Sequence, residues 1–253
     1  MSKPRVLLYD IETAPIIATV WQKYEANMVW SVQDWYMLCF AYKWLDEKKT
    51  YIVSQDDFKG YKAGSPDDSK VVKRMWELFN EADVVIAHNG NSFDQKKVQA
   101  RMVIQGLDSP TFYQQIDTKL VAKRSFNFTS NKLDDLGEYF GLGKKHKTDA
   151  SLWRGCMAGD KKSWAYMKKY NIQDVKLLEG VYLKMRPWDN QHPNLATISD
   201  RPDACKFCGE NKGFWGAGMK HTKTQSYPVF MCKNCRGKNP SKSAEKRIKA
   251  KYA

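Results

Sequence analysis

VLLYDIETAP, residues 6–15, runs four apolar residues (Val6, Leu7, Leu8 and Tyr9) directly into two acids set two apart, Asp10 and Glu12. The apolar run reads as a buried strand. Because strand side chains alternate, Asp10 and Glu12 leave the same face about 7 Å apart. Two further acids stand where they could be aimed at that face. Asp94 follows the apolar run 84–87 and the turn-forming HNGNS, in the first turn of a helix read over 95–104. Asp174 lies in a long helical pattern in which Val175, Leu178, Tyr182 and Met185 recur at spacings of three and four, with Tyr170 one turn before it on the same side. Each acid taken alone has an ordinary reading: a strand end, a helix cap, a solvated helix position. Four carboxylates at one point repel one another and lose hydration, which hard divalent cations relieve. Together they predict a site for two magnesium or manganese ions.

Working outward, strands are expected at 6–12, 36–44, 50–54, 84–87 and 112–117, with a helix over 69–81 and helices through the last third of the 1–195 region. Three strands before any long helix, then alternating helix and strand, predict an α/β architecture with a mixed sheet flanked by helices. Residues 60–68 read as a loop.

At this point the chain resembles the DEDD family of 3′-to-5′ exonucleases, which have a ribonuclease H-like fold and include polymerase proofreading domains. D-I-E at 10–12 matches the first motif, N-x-x-x-F-D from Asn89 to Asp94 the second, and Y-x-x-x-D from Tyr170 to Asp174 the third. The resemblance spans about residues 4–190. Tyrosine at 170, with lysine at 169, is similar to the tyrosine subtype found in proofreading domains of family A and B polymerases. The segments YDIETAP, NKLDDLGEYFGLGKK and SWAYMKKYNIQDV further resemble small stand-alone exonucleases of phage and bacterial genomes.

The resemblance implies that Asp10, Glu12 and Asp174 hold the ion on the nucleophile side, that Asp10 bridges, and that Asp94 holds the second ion mainly through water. Tyr170 then orients the attacking water, since a phenol of pKa about 10 is a poor base at neutral pH. The products expected are nucleoside 5′-monophosphates released from a 3′ end, with single-stranded DNA the favoured substrate. Asn89 could bond the terminal nucleotide or make the turn after its strand, and Phe93 could stack on a base or pack in the core. Asp117 is read as a helix cap with a metal role as the alternative. His88 and His146 match no ligand pattern.

Beyond this region, Cys205-Lys-Phe-Cys208 and Cys232-Lys-Asn-Cys235 are separated by 23 residues. Two such knuckles can present four thiolates tetrahedrally to one zinc ion, closing a segment too short for a core of its own. Paired disulfides are the competing reading. Against them stand Cys39 and Cys156 in apolar contexts and a start without secretory character, so a cytoplasmic protein is expected. His221, between the knuckles, is read as a non-ligand.

From residue 196 onward there are 13 basic and four acidic residues, net +9 of the chain's +14. Such a distribution predicts phosphate contacts and sequence-independent nucleic-acid affinity. The organisation expected is a nuclease-like unit over 1–195, a linker over 196–203, a zinc ribbon over 204–236 and a basic disordered tail over 237–253. No apolar run is long enough to cross a membrane. No polymerase region accompanies the motifs, so a replication or repair role is expected to require a protein partner. Two other readings stay open: a structure-selective endonuclease, and a binding module on an inactive scaffold.

Overall fold

The computed structural model describes residues 3–24, 26–244 and 246–247. The chain opens with β1 (Val6–Thr13), a separate hairpin of β2 (Ile17–Thr19) and β3 (Trp30–Gln33), then β4 (Met37–Trp44) and β5 (Tyr51–Ser54). There follow α1 (Ser69–Glu81), β6 (Val84–Ala87), α2 (Asp94–Ile104), β7 (Gln114–Asp117), α3 (Thr118–Ser125), α4 (Leu133–Tyr139), α5 (Ala150–Met157) and the long α6 (Lys161–Met185). β1 is the middle strand of a mixed sheet ordered β5-β4-β1-β6-β7. It pairs antiparallel with β4 and parallel with β6.

The period of two along β1 decides what each face meets. Val6 and Leu8 pack with α3, α4 and α6 through Val121, Leu133, Leu136, Val175, Leu178 and Val181. Leu7, Tyr9 and Ile11 pack on the opposite face with α1 and α2, through Val72, Met75, Phe79, Val98 and Met102. Continued two residues at a time, the even face carries Asp10 and Glu12 toward α6. That helix is held through 25 residues by an apolar stripe and by Asp160, whose side chain accepts from Ser163 N.

Three sequence expectations change. The stretch between β1 and β4 contains a two-stranded hairpin that was not anticipated, and its large apolar residues, Trp21 and Trp30 among them, are exposed. The segment 196–203 is not a free linker: α7 (Leu195–Ile198) occupies its start, Ala196 is buried, and Leu195 N donates to Lys206 O at 2.8 Å. The basic tail is structured at least as far as its described part. β8 (Phe214–His221) and β9 (Gln225–Cys232) form the ribbon, and β10 (Lys238–Pro240) and β11 (Lys246–Arg247) both pair with β9. Backbone pairing needs no apolar periodicity, so composition gave no sign of it. The remainder of the expected tail, residue 245 and residues 248–253, lies outside the described residues.

Candidate metal centres

Carboxylate oxygens of Asp10, Glu12 and Asp174 gather within 4.8 Å of one another, where the end of β1 faces the middle of α6. Asp94 stands outside this trio. It opens α2, and its Oδ1 accepts from Ile11 N at 3.3 Å, so the carboxylate lies against the β1 backbone between the two strand acids. The four acids predicted to converge are therefore a trio with a buried neighbour.

Burial dominates the electrostatics. It pushes Asp10 well above the usual carboxylate range, and the charges of Asp94, Glu12 and Asp174 push it further. Glu12 rises to about 8 for the same first reason, with Asp174 the next contributor. Asp94 rises to about 6, again through burial, although the Ile11 amide pulls it back. Asp174 is raised by burial against the pull of Lys145. Glu12 in this condition keeps its proton at neutral pH until positive charge arrives, and the other three ionise less readily than free carboxyls.

Three neighbours of the trio were not singled out from sequence. Lys145 Nζ donates to Asp174 Oδ2 at 2.6 Å and lies 5.6 Å from the centroid of the Tyr170 ring. Asn171 Nδ2 donates to Asp10 Oδ2 at 2.6 Å, and Trp153 Nε1 to Glu12 Oε2 at 3.2 Å. Asn171 and Trp153 sit inside helical patterns as one more polar and one more aromatic residue. Lys145 comes from the irregular stretch after α4, where no periodicity points anywhere.

These contacts leave one oxygen open. Asp174 Oδ1 is buried without a hydrogen bond of normal geometry, with the Tyr170 phenol the nearby group that eases the carboxylate's ionisation. An orphaned buried oxygen among carboxylates that resist ionisation fits a hard divalent cation, and the all-oxygen donor set suits magnesium or manganese. Tyr170 itself is buried beside Trp153, with ring centroids 6.2 Å apart. Burial and the Asp174 charge raise its pKa, which keeps the phenol a donor rather than a base.

The remaining candidates divide. Asn89 adopts φ 68°, a left-handed conformation that asparagine tolerates, and its Oδ1 accepts from Lys119 Nζ at 3.1 Å. It makes the turn. Phe93 is 40% exposed, which removes core packing as its role and leaves its ring available to a ligand. Asp117 caps α3: Oδ1 accepts from Asn89 N, Lys119 N and Leu120 N, and Oδ2 from Asn91 N. His88 bonds Thr118 Oγ1 and Asn131 O, and burial lowers its pKa to about 4. His146 packs against Tyr166, and exposed His221 bonds Ser226 Oγ.

In the ribbon, Cys205, Cys208, Cys232 and Cys235 place their sulfurs within 4.8 Å of one another, with Cys205 to Cys235 at 3.5 Å and Cys208 to Cys232 at 3.7 Å. A tetrahedral thiolate cage with metal–sulfur bonds of about 2.3 Å requires sulfur separations of about 3.8 Å. The two knuckles repeat one turn: Gly209 N donates to Cys205 O and Arg236 N to Cys232 O, with Gly209 and Arg236 both at positive φ. Hydrogen bonds from Cys208 and Cys235 hold Cys205 far below the usual thiol range, and Cys208 rises in turn to about 11. Four sulfurs gathered at these separations fit zinc, with His221 outside the set.

The fold is ribonuclease H-like, and the chain belongs to the RNase_H superfamily, whose family model matches residues 33–186. That span begins after β1, so Asp10 and Glu12 rest on the structure. The chain is similar in structure to the family B DNA polymerase from the hyperthermophilic archaeon Pyrobaculum calidifontis, at 19% identity and a TM-score of 0.53. The likeness covers 74% of this chain and 25% of that one, and at this identity it is a likeness of fold. No curated protein matches the chain.

Proposed function

We propose that this protein is a metal-dependent 3′-to-5′ exonuclease acting on single-stranded DNA, with its zinc ribbon and basic C-terminal strands helping to grip the substrate. The observation that carries this reading is the Asp10, Glu12 and Asp174 trio with Asp94 behind it and Asp174 Oδ1 open. The three motifs similar to those of tyrosine-type exonucleases supply the direction of attack, and the superfamily supplies the scaffold.

Asp10, Glu12 and Asp174 would hold one divalent ion, and Asp94 together with Asp10 a second; when bound, such a pair activates a water and stabilises the leaving oxygen at phosphorus. Asn171 fixes the rotamer of Asp10, and Trp153 that of Glu12, so the acids present oxygens without first reorganising. Lys145 neutralises part of the trio's charge and steadies Asp174. Tyr170, kept protonated, orients the water by donating or accepting one hydrogen bond. Phe93, exposed beside Asp94, meets the terminal base, while Asn89 shapes the loop that carries it. Cys205, Cys208, Cys232 and Cys235 would hold structural zinc. Unpaired cysteines throughout the described residues accord with a reducing, cytoplasmic compartment.

The test is degradation of 3′-labelled and 5′-labelled oligonucleotides with magnesium or with chelator. Metal-dependent mononucleotide release from the 3′ label, and protection by a blocked 3′ end, are expected. Cleavage that survives the block would identify an endonuclease instead.

A further inference from the structure

The hairpin β2–β3 and its turn expose an unusual run of apolar side chains. Trp21 is 85% exposed, Tyr24 74% and Trp30 54%, with Met28 and Val32 also outward. A two-stranded ribbon alone is marginal in water, and these rings stand in the open, with Lys23 Nζ 5.2 Å from the Tyr24 centroid. The hairpin is tied to the metal centre at its root. β1 runs from Glu12 into Thr13 and Ala14, Ala14 N donates to Tyr36 O at 2.9 Å, and the hairpin leaves from there. Between the hairpin and Asp94 lies a ladder of rings and cations. Lys97 Nζ sits 3.7 Å from the centroid of Trp35 and 5.2 Å from that of Phe93, and Arg101 lies 5.8 Å from Trp35. Phe93 adjoins Asp94 in sequence.

We infer that Phe93, Trp35 and the hairpin rings Trp30, Tyr24 and Trp21 form a stacking track for the unpaired bases of a single strand whose 3′ end lies at the acids. This inference rests on the nuclease reading for its direction and deepens it, since it names the feature that selects single strand over duplex. Unpaired bases offer flat faces that aromatic side chains stack upon without regard to sequence. The ladder carries the matching charge: an ammonium set against two rings suits a nucleic-acid strand better than an apolar protein face. Lys97 is partly buried, which lowers its pKa against the opposite pull of Asp34, and a further anion beside it would relieve that cost. Duplex ends keep their bases stacked on each other and cannot use the rings.

The experiment measures affinity of the full-length protein for a fluorescent oligothymidylate and for a blunt duplex of equal length, in chelator so that nothing is cleaved. The triple variant Trp21→Ser, Tyr24→Ser, Trp30→Ser is compared with wild type. Each ring lost is expected to cost about tenfold in single-strand affinity, with duplex affinity little changed. Wild-type tryptophan fluorescence is expected to be shielded from acrylamide by the oligothymidylate. The substituted positions are exposed, and an unchanged melting temperature checks that the variant folds. Equal single-strand affinity in variant and wild type overturns the inference, as does a variant that only converts a dimer to a monomer in solution. Hydrolysis of thymidine 5′-(p-nitrophenyl phosphate) by the wild type with magnesium tests the metal site alone. Its absence, with ring-dependent binding intact, would sink the nuclease reading and leave the track standing.

Discussion

Asp174 meets two opposed demands: a lysine saturates one oxygen, while the other is buried and unpartnered. Asp174→Asn keeps the size of the side chain and removes its charge, so turnover should fall by roughly a thousandfold, ~4 kcal/mol of barrier, with the fold intact by circular dichroism. Tyr170→Phe removes only a hydroxyl and should cost roughly tenfold to a hundredfold. An Asp174→Asn protein as active as wild type would remove this carboxylate from the mechanism. The raised pKa of Glu12, from 4.5 to about 8, fixes a second outcome. In metal-free protein this acid keeps its proton below about 8, so a cation must displace it. Divalent affinity should climb as pH rises from 6 to 8, with protons released on binding, and the release should shrink in Glu12→Gln; calorimetry in buffers of different ionisation enthalpy reads both. The acids themselves were legible because each ends a local pattern: an apolar strand, a turn, a helical stripe. Lys145, Asn171 and Trp153 were not, because what brings them to the trio is the packing of α5, α6 and the loop before them, and no local pattern encodes it.

At the scale of elements, Asp117 is the joint between β7, α3 and the turn that carries Asn89. Four backbone amides converge on it. Asp117→Ala leaves those donors unmet and should lower unfolding free energy by about 2–4 kcal/mol in urea titrations. Asp117→Asn retains the oxygen that three of them use and should recover most of the loss without altering divalent affinity; a fall in that affinity would make Asp117 a ligand. The cap was readable from an acid placed between an apolar strand and a helix. Helix α1 was readable over its full span of 69–81 because it carries a regular apolar face, Val71, Val72, Met75, Leu78 and Phe79, between a loop and a strand. The hairpin was not, because residues 16–35 lack the alternation that marks a half-buried strand and its apolar side chains lie in the open.

Over the whole molecule, the ribbon is seated on the nuclease-like unit rather than strung from it. Tyr182 Oη and His192 Nε2 lie 2.9 Å apart, and His192 packs against Phe207 with centroids 5.4 Å apart. Burial lowers the His192 pKa to about 4, so its imidazole is neutral at this joint. Removing residues 204–253 should weaken nucleic-acid binding and flatten its dependence on salt, since the excess positive charge goes with them. Turnover of thymidine 5′-(p-nitrophenyl phosphate) should persist, because none of the acids is lost. Anisotropy titrations over a range of salt test the first part; an unchanged salt slope would take phosphate binding away from the ribbon.

The end of β1, the start of α2 and the middle of α6 should together hold a pair of hard cations. Anomalous diffraction from crystals soaked in manganese tests it most directly. Two peaks are expected, one among Asp10, Glu12 and Asp174 and one between Asp10 and Asp94, both lost in Asp10→Ala. Manganese bound elsewhere, with this cluster empty at saturating concentration, would contradict it.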